Sequence, residues 1–234
     1  MPVVHVLDIE QSAGNIRIAT GEGAPGVFLI NHDFDKAKLI PIVQEIRGRF
    51  PALWLGVNFL AVTGRDAFPV LGRLEKQGCT VDAYWADDAR IDERRAEDDQ
   101  PEAAEIARVR AESGWSGLYF GGTAFKKQRA VDADAYETAA RLAVPFMDVV
   151  TTSGKATGHE AARSKVKAFR RGVADKALAL ASGITPDNAG SFADVDCFMV
   201  ATGINVDGDF YNIAPAKLAR LMKVSRMLAE GANG

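Results

Sequence analysis

The chain has 234 residues, of which 47% are hydrophobic and 25% are charged, and its formal net charge is −3. These values are ordinary for a globular protein, and the length suits a single barrel domain over residues 1–234 better than two unrelated domains. The small negative net charge argues against nucleic acid as a partner, because a protein that binds nucleic acid needs a basic surface. With no apolar run near the roughly 20 residues that span a bilayer and no leader-like start, we expect a cytoplasmic protein with no membrane span.

The cysteines and carboxylates give no reason to expect a metal. Cys79 and Cys197 are too few and too isolated for a disulfide framework or a zinc site. Four carboxylates crowd one hydrophilic segment: Asp87, Asp88, Asp92 and Glu93. Because such clusters in hydrophilic loops are more often solvated than metal-bound, we predict no metal and no cofactor.

Apolar runs alternate with helix-like segments along the first half of the chain. The predicted strands are 3–9, 26–33, 53–60 and 81–85. The predicted helices are 11–24, 35–50 and 63–78, the first of which looks shortened. Asp33 and Asp35 compete to cap the second helix. After the fourth strand, the charged segment 88–113 is predicted to be an insertion. It would form a loop up to Pro101 and a helix after it.

The last third of the chain has the clearest pattern, because three apolar runs each stop at a small-residue turn. The runs are 146–154, 177–183 and 197–203, preceded by a fifth strand at 118–124. Helices are predicted at 132–143, 159–171, 185–193 and 215–229. Each run suits a strand buried on both faces. Eight strands alternating with helices close most economically as a (β/α)8 TIM barrel, whereas a doubly wound sheet would ask for a glycine-rich turn after the first strand.

The tips of the last two strands predict a phosphate site. Ser182-Gly183 and Thr202-Gly203 leave backbone N–H groups near the mouth of the barrel, where barrels of this kind hold phosphate. Only glycine-like turns bring the backbone close enough to an anion, and a short helix after Gly203 would add its positive end. We predict a phosphorylated small-molecule ligand; the alternative is that the small residues merely let each strand turn into its helix.

Polar residues at the other strand ends would converge on the same mouth. His32 is the best general-base candidate because its ordinary pKa lies near neutrality, although it could instead bond only to backbone. We predict three catalytic residues: His32, Lys126 and Asp8. We predict four further substrate-binding residues: Asn31, Asn58, Ser153 and Gly154. His5 and His159 are predicted to be lone histidines, with no partner at the spacing of metal ligands.

Five runs resemble the BtpA family in order and spacing. They are Gly-Val-Phe-Leu-Ile-Asn-His-Asp at 26–33, Leu-Gly-Val-Asn-Phe-Leu at 55–60, Asp-Val-Val-Thr-Thr-Ser-Gly-Lys-Ala-Thr-Gly at 148–158, Ala-Ser-Gly-Ile-Thr-Pro-Asp-Asn at 181–188 and Val-Ala-Thr-Gly-Ile at 200–204. The resemblance runs from Val3 to about Met222 and implies a barrel akin to ribulose-phosphate-binding barrels. One photosynthetic member of the family is linked to photosystem I assembly or stability. Other members are associated with carbohydrate metabolism or are described as phosphoribosyltransferases. Lys155 departs from the proline or uncharged residue that relatives have there.

Two functions follow from these observations. The first is an enzyme acting on a phosphorylated sugar or nucleotide-like metabolite, as an isomerase, a lyase or a phosphoribosyltransferase-like protein. The second is a non-catalytic accessory or assembly factor of the BtpA type that keeps an anion-binding mouth. An enzyme needs the polar groups at its strand ends within hydrogen-bond reach of one another, with the pKa of at least one of them perturbed. In a scaffold, structural hydrogen bonds would occupy these groups. An exposed outer ring of helices commonly supports dimers, so a homo-oligomer is also left open.

Overall fold

Eight parallel strands form one sheet in the order of the chain. The computed structural model describes residues 1–126, 128–156 and 158–231. The strands are β1 (Val3–Val6), β2 (Gly26–Asn31), β3 (Trp54–Asn58), β4 (Ala83–Ala86), β5 (Leu118–Gly122), β6 (Val149–Thr152), β7 (Ala177–Ala181) and β8 (Cys197–Met199), each paired with the next. The predicted TIM barrel is confirmed.

Hydrogen bonds between the two ends of the sheet close the barrel. The backbone N–H of Val3 donates to the carbonyl of Val200 at 2.8 Å, and the N–H of Val200 donates to the carbonyl of Met1 at 3.0 Å. Pro2 and Val200 form the corresponding parallel bridge. The turns after β7 and β8 therefore lie beside the end of β1, although almost the whole chain separates them in sequence.

Helices cover most of the outside of the barrel. They are α1 (Ile9–Gly21), α2 (Lys36–Arg49), α3 (Gly64–Lys76), α4 (Pro101–Ser113), α5 (Tyr136–Ala143), α6 (Arg163–Val173) and α7 (Pro215–Gly231). The expected shortening of the first helix is not seen, because α1 has 13 residues, as α3 and α4 do. Across the described residues, no helix combines the length and the apolar character needed to cross a bilayer.

The segment after β7 does not form the helix predicted at 185–193. It contains only the single 3-10 turn Ala189–Ser191. The side chain of Asn188 accepts the N–H of Thr185 at 2.8 Å and donates to the carbonyl of Gly183 at 2.7 Å. Such local side-chain bonds offer the backbone an alternative to the helical ladder, so the helix does not start.

The charged segment 88–113 divides into a long loop and an ordinary barrel helix. The loop runs from the end of β4 to Gln100, and α4 then packs against α3 as the fourth helix of the outer ring. The side chain of Gln100 folds the loop by accepting the N–H of Asp92 at 3.0 Å and donating to its carbonyl at 2.9 Å. Only the loop is thus an addition to the barrel.

Aromatic rings fill the interior of the barrel. The ring of Phe28 lies 5.2 Å from that of Phe120 and 6.1 Å from that of Trp85, in edge-to-face contact with both. This packing depends on Gly56, because a Cβ at that position would overlap the Phe28 ring. These rings therefore form part of a buried apolar layer inside the barrel.

Gly56→Ala should destabilise the protein by about 1–3 kcal/mol, because the added methyl group overpacks a closed interior. Urea unfolding of the purified variant measures this. Gly48→Ala is the matched control, since Gly48 is exposed on α2 and no atom lies within 4 Å of its added Cβ; it should be neutral or slightly stabilising. Equal stability of Gly56→Ala and the wild type would contradict this account of the barrel interior.

Candidate active site at the carboxyl ends of the strands

A small cavity opens at the mouth of the barrel, between the ends of β1, β2 and β4 and the turns after β5, β7 and β8. Its polar lining comprises His5, His32, Asp87, Lys126, Ser182, Gly183, Thr202 and Gly203. The cavity volume is about 50 Å³, room for roughly four water molecules. The space therefore suits a single anionic group of phosphate size.

Three backbone N–H groups at the turns after β7 and β8 are uncommitted. Within the described residues, those of Gly183, Thr202 and Gly203 donate to no other protein group. All three residues line the mouth cavity. Converging free N–H groups are what an oxyanion requires. The single 3-10 turn Thr202–Ile204 is too short for the helix dipole expected there, so these N–H groups carry the positive potential.

The same turns also interlock, which gives their glycines a packing role. A Cβ at Gly183 would overlap the backbone of His159 and Glu160, and one at Gly203 would overlap the carbonyl of Ile184. The hydroxyl of Ser182 accepts the N–H of Gly154 at 2.9 Å and contacts the carbonyl of His159 at 3.2 Å. The turns thus need small residues for packing, while the amide N–H groups remain available to a ligand.

His5 and His32 form a pair at the mouth. Their ring centroids are 4.6 Å apart in an edge-on arrangement, and the ring of Phe210 lies 3.9 Å from that of His5. His5 is therefore not the lone histidine expected from the sequence. It lies two residues after the inward-facing Val3, so the strand period of two could have placed it inside the barrel.

The proton on His5 can be assigned from its partner. Its Nδ1 lies 2.9 Å from the carbonyl of Phe210, and a carbonyl only accepts, so Nδ1 carries the proton and Nε2 is left as an acceptor. Burial, followed by the charge of His32, lowers the pKa of His5 from 6.5 to about 4. His5 is consequently a neutral imidazole at physiological pH.

Asp87 joins the mouth through Asn58, which the sequence predicted as a binding residue. The Nδ2 of Asn58 donates to the Asp87 carboxylate at 3.1 Å. The Oδ1 of Asn58 is fully buried and accepts no hydrogen bond from the described residues. Lys126 lines the cavity beside them. Asn58 therefore acts on the cavity through Asp87 rather than from its wall.

Four predicted site residues make structural contacts away from the mouth cavity. Asp8 is exposed and caps α1 by accepting the N–H of Gln11 at 2.8 Å. Asn31 accepts the N–H of Leu60 at 3.2 Å and donates to the carbonyl of Phe34. Ser153 accepts the N–H of Lys126 at 2.8 Å and donates to the carbonyl of Gly154 at 2.9 Å. Because these polar groups are used within the protein, we leave Asp8, Asn31, Ser153 and Gly154 out of the candidate mouth site.

The two competing aspartates after β2 have separate roles. Asp35 caps α2, accepting the N–H of Lys38 at 3.2 Å. Asp33 accepts a hydrogen bond from the hydroxyl of Tyr211, which ties the loop after β8 to the end of β2. Across the described residues, no three His, Cys, Asp or Glu side chains come together as a metal-ligand set.

Solved structures of other barrels match almost the whole chain. Phosphoribosyl anthranilate isomerase from Thermococcus kodakaraensis is 17% identical with a TM-score of 0.63, covering 96% of this chain and 97% of that one. Monomers of the dimeric Thermotoga maritima enzyme are 14% identical with a TM-score of 0.60, covering 97% of both chains. Tryptophan synthase subunit alpha from Legionella pneumophila is 12% identical with a TM-score of 0.64, covering 97% of this chain and 92% of that one. At these identities the likeness establishes the fold alone.

No family model matches this chain, and no curated protein matches it. The barrel that the BtpA resemblance implied is confirmed, while membership of that family stays a prediction. Homo-oligomerisation likewise stays a prediction for this chain.

His5 should make stability depend on pH. Its folded pKa of about 4 lies below its unfolded value of 6.5, so the unfolded state binds more protons between these values. The His5 contribution is therefore fully present above pH 6.5 and is lost as the pH falls towards 4. From pH 7.5 to pH 5 it should lower the free energy of unfolding by about 2 kcal/mol.

Urea unfolding at both pH values tests this, with His5→Asn as the variant. Asparagine keeps a donor near the Nδ1 position but does not titrate, so the pH-dependent loss should shrink by that amount. His159→Asn is the control, because His159 is exposed outside the mouth and its variant should keep the wild-type pH dependence. An unchanged pH dependence in His5→Asn would show that His5 is not held neutral by burial.

Proposed function

We propose that this protein is an enzyme acting on a phosphorylated small molecule, a sugar or a nucleotide-like metabolite. The observation that carries the proposal is that the N–H groups of Gly183, Thr202 and Gly203 have no acceptor among the described residues, while all three residues line the same cavity as the His5–His32 pair. The phosphate would sit on these N–H groups, with Lys126 contributing positive charge. The histidine pair and the phosphate would then share one small cavity.

The charge and size of the cavity favour phosphate. Backbone N–H groups stabilise an oxyanion without the side-chain entropy that a lysine or arginine would lose. A volume of about 50 Å³ accommodates the phosphate, and the remainder of the substrate has to extend out of the mouth. Solved phosphoribosyl anthranilate isomerases and tryptophan synthase alpha subunits share this fold; their chemistry reaches this chain only by analogy.

The residues beside the phosphate site favour proton transfer. The Nε2 of neutral His5 is an acceptor, His32 lies edge-on to it, and Asp87 and Lys126 complete the polar lining. His32 would take a proton from substrate carbon or hydroxyl and return it. Isomerase and lyase reactions on sugar phosphates both begin with such a transfer, so we place them ahead of phosphoribosyl transfer, which needs charge stabilisation of a leaving group.

One observation favours the alternative, an accessory protein that keeps an anion-binding mouth. The side chains of Asp8, Asn31, Ser153 and Ser182 are all used in structural hydrogen bonds. A non-catalytic barrel would show such bonds, and the charged loop ending at Gln100 would then be its partner surface. The lowered pKa of His5 weighs on the side of an enzyme.

Binding of inorganic phosphate tests the anion site. A ligand at about 100 times its dissociation constant should stabilise the fold by about 2.7 kcal/mol, which raises the melting temperature by several degrees. Thr202→Glu should abolish this shift, because it puts a carboxylate at the rim of the cavity. Val206→Glu adds the same charge at an exposed position that does not line the cavity and should keep the shift. Full retention by Thr202→Glu would refute the phosphate site.

His32→Asn tests catalysis. Sugar phosphates and nucleoside monophosphates that stabilise the protein are incubated with it, and substrate and product are followed by phosphorus NMR. We expect one of them to be converted, and His32→Asn to lower the rate by about 10²–10⁴ with binding retained. Val206→Glu, at an exposed position that lines neither cavity, should match the wild type. Binding without conversion of any compound would favour the accessory role.

A further inference from the structure

A second, larger cavity adjoins the mouth, between the loops that follow β5 and β6. Its volume is about 760 Å³, against about 50 Å³ for the mouth cavity. Lys126 lines both. A cavity of this size holds a metabolite, whereas the mouth holds a single anionic group. The part of a ligand that extends from the mouth would therefore enter this second cavity.

A buried lysine forms part of the wall of this second cavity. Lys165, on α6, is a buried residue with 8% of its surface exposed. Its ammonium donates to the carbonyls of Ala124 at 2.6 Å and Ser153 at 2.7 Å. The rings of Tyr136 and Phe169 lie 5.1 and 5.7 Å from the Nζ atom. An ammonium has three N–H donors, so two are satisfied by the protein and one remains.

The charge of Lys165 lacks a counterion within the described residues, where no carboxylate lies in salt-bridge range of its Nζ atom. Burial lowers the pKa of Lys165 from 10.5 to about 8. A buried charge without a paired opposite charge is costly. An anionic group in the cavity would supply both the missing charge and an acceptor for the third N–H.

The charged residues that line this cavity are predominantly basic. Five basic residues line the cavity: Lys126, Arg129, Lys155, Arg163 and Lys165. Two acidic residues line it, Asp132 and Glu160. Arg129 pairs with Glu93, whereas Lys155 is exposed at the rim. The excess of positive charge favours an anionic occupant.

We propose that this cavity is a second anion site, which binds a carboxylate or phosphate group of the ligand against Lys165. This rests on the proposed phosphate site and names its substrate class: a small molecule with two anionic groups, one on the turns after β7 and β8 and the other at Lys165. The chain between them passes Lys126. The competing account is that Lys165 serves only to tie the turns after β5 and β6 together through its two carbonyl partners.

Calorimetric titration with matched phosphates separates these accounts. The probes are the monophosphates and bisphosphates of straight-chain diols with three to six carbons. The wild type should bind the bisphosphate of matching length at least tenfold more tightly than the monophosphate. Lys165→Met should reduce that preference to near unity and leave monophosphate affinity within about twofold. Lys167→Met, on an exposed position of the same helix that lines neither cavity, is the charge-matched control and should keep the preference.

Lys155→Gln guards against a failure of Lys165→Met to fold, because Lys155 is exposed and its loss leaves no buried group unpaired. It should weaken bisphosphate binding several-fold with little effect on the monophosphate. If the preference for the bisphosphate persists in Lys165→Met, the second site is overturned and the proposed function stands. If Lys165→Met does not fold, the same conclusion follows from a preference that persists in Lys155→Gln. Monophosphate binding that survives Thr202→Glu but is lost in Lys165→Met would overturn the phosphate site after β7 and β8 instead.

Discussion

Closure of the sheet between β1 and β8 is the constraint on which the candidate site depends. The hydrogen bonds of Val3 and Val200 bring the first strand next to the last one. His5, on β1, thereby meets the turn that carries Thr202 and Gly203 in one cavity. An open sheet with the same strands would leave these groups on opposite edges, so the chemistry of the mouth is a property of the closed barrel.

The interior packing decides where polar groups can gather. Phe28, Trp85 and Phe120 pack edge-to-face inside the barrel, around the space that Gly56 leaves. The mouth cavity borders this apolar layer, because Trp85 belongs to both. There the buried amide of Asn58 contacts Asp87, and the low polarity below strengthens the electrostatic interactions of the groups above.

The loops at the mouth are built by mutual contact of their backbones. Glycines allow the turns after β6, β7 and β8 to touch, and the Ser182 hydroxyl fastens two of them. Lys165 does the same for the turns after β5 and β6 through two carbonyl groups. Contacts between the turns fix the positions of the N–H groups that have no acceptor among the described residues, and anion binding requires such preorganised donors.

Local patterns in the sequence predict the barrel and the small-residue turns after β7 and β8, because continuous apolar runs and small-residue tips each lie within a short stretch of chain. The set of polar groups that share the mouth depends on contacts between distant parts of the chain. The tertiary structure paired His5 with His32 and with the carbonyl of Phe210, 205 residues along the chain, and it used Asp8, a predicted catalytic residue, to cap α1. Local patterns report burial and turns, whereas a hydrogen-bond partner depends on strand register and closure, which no short stretch of sequence contains.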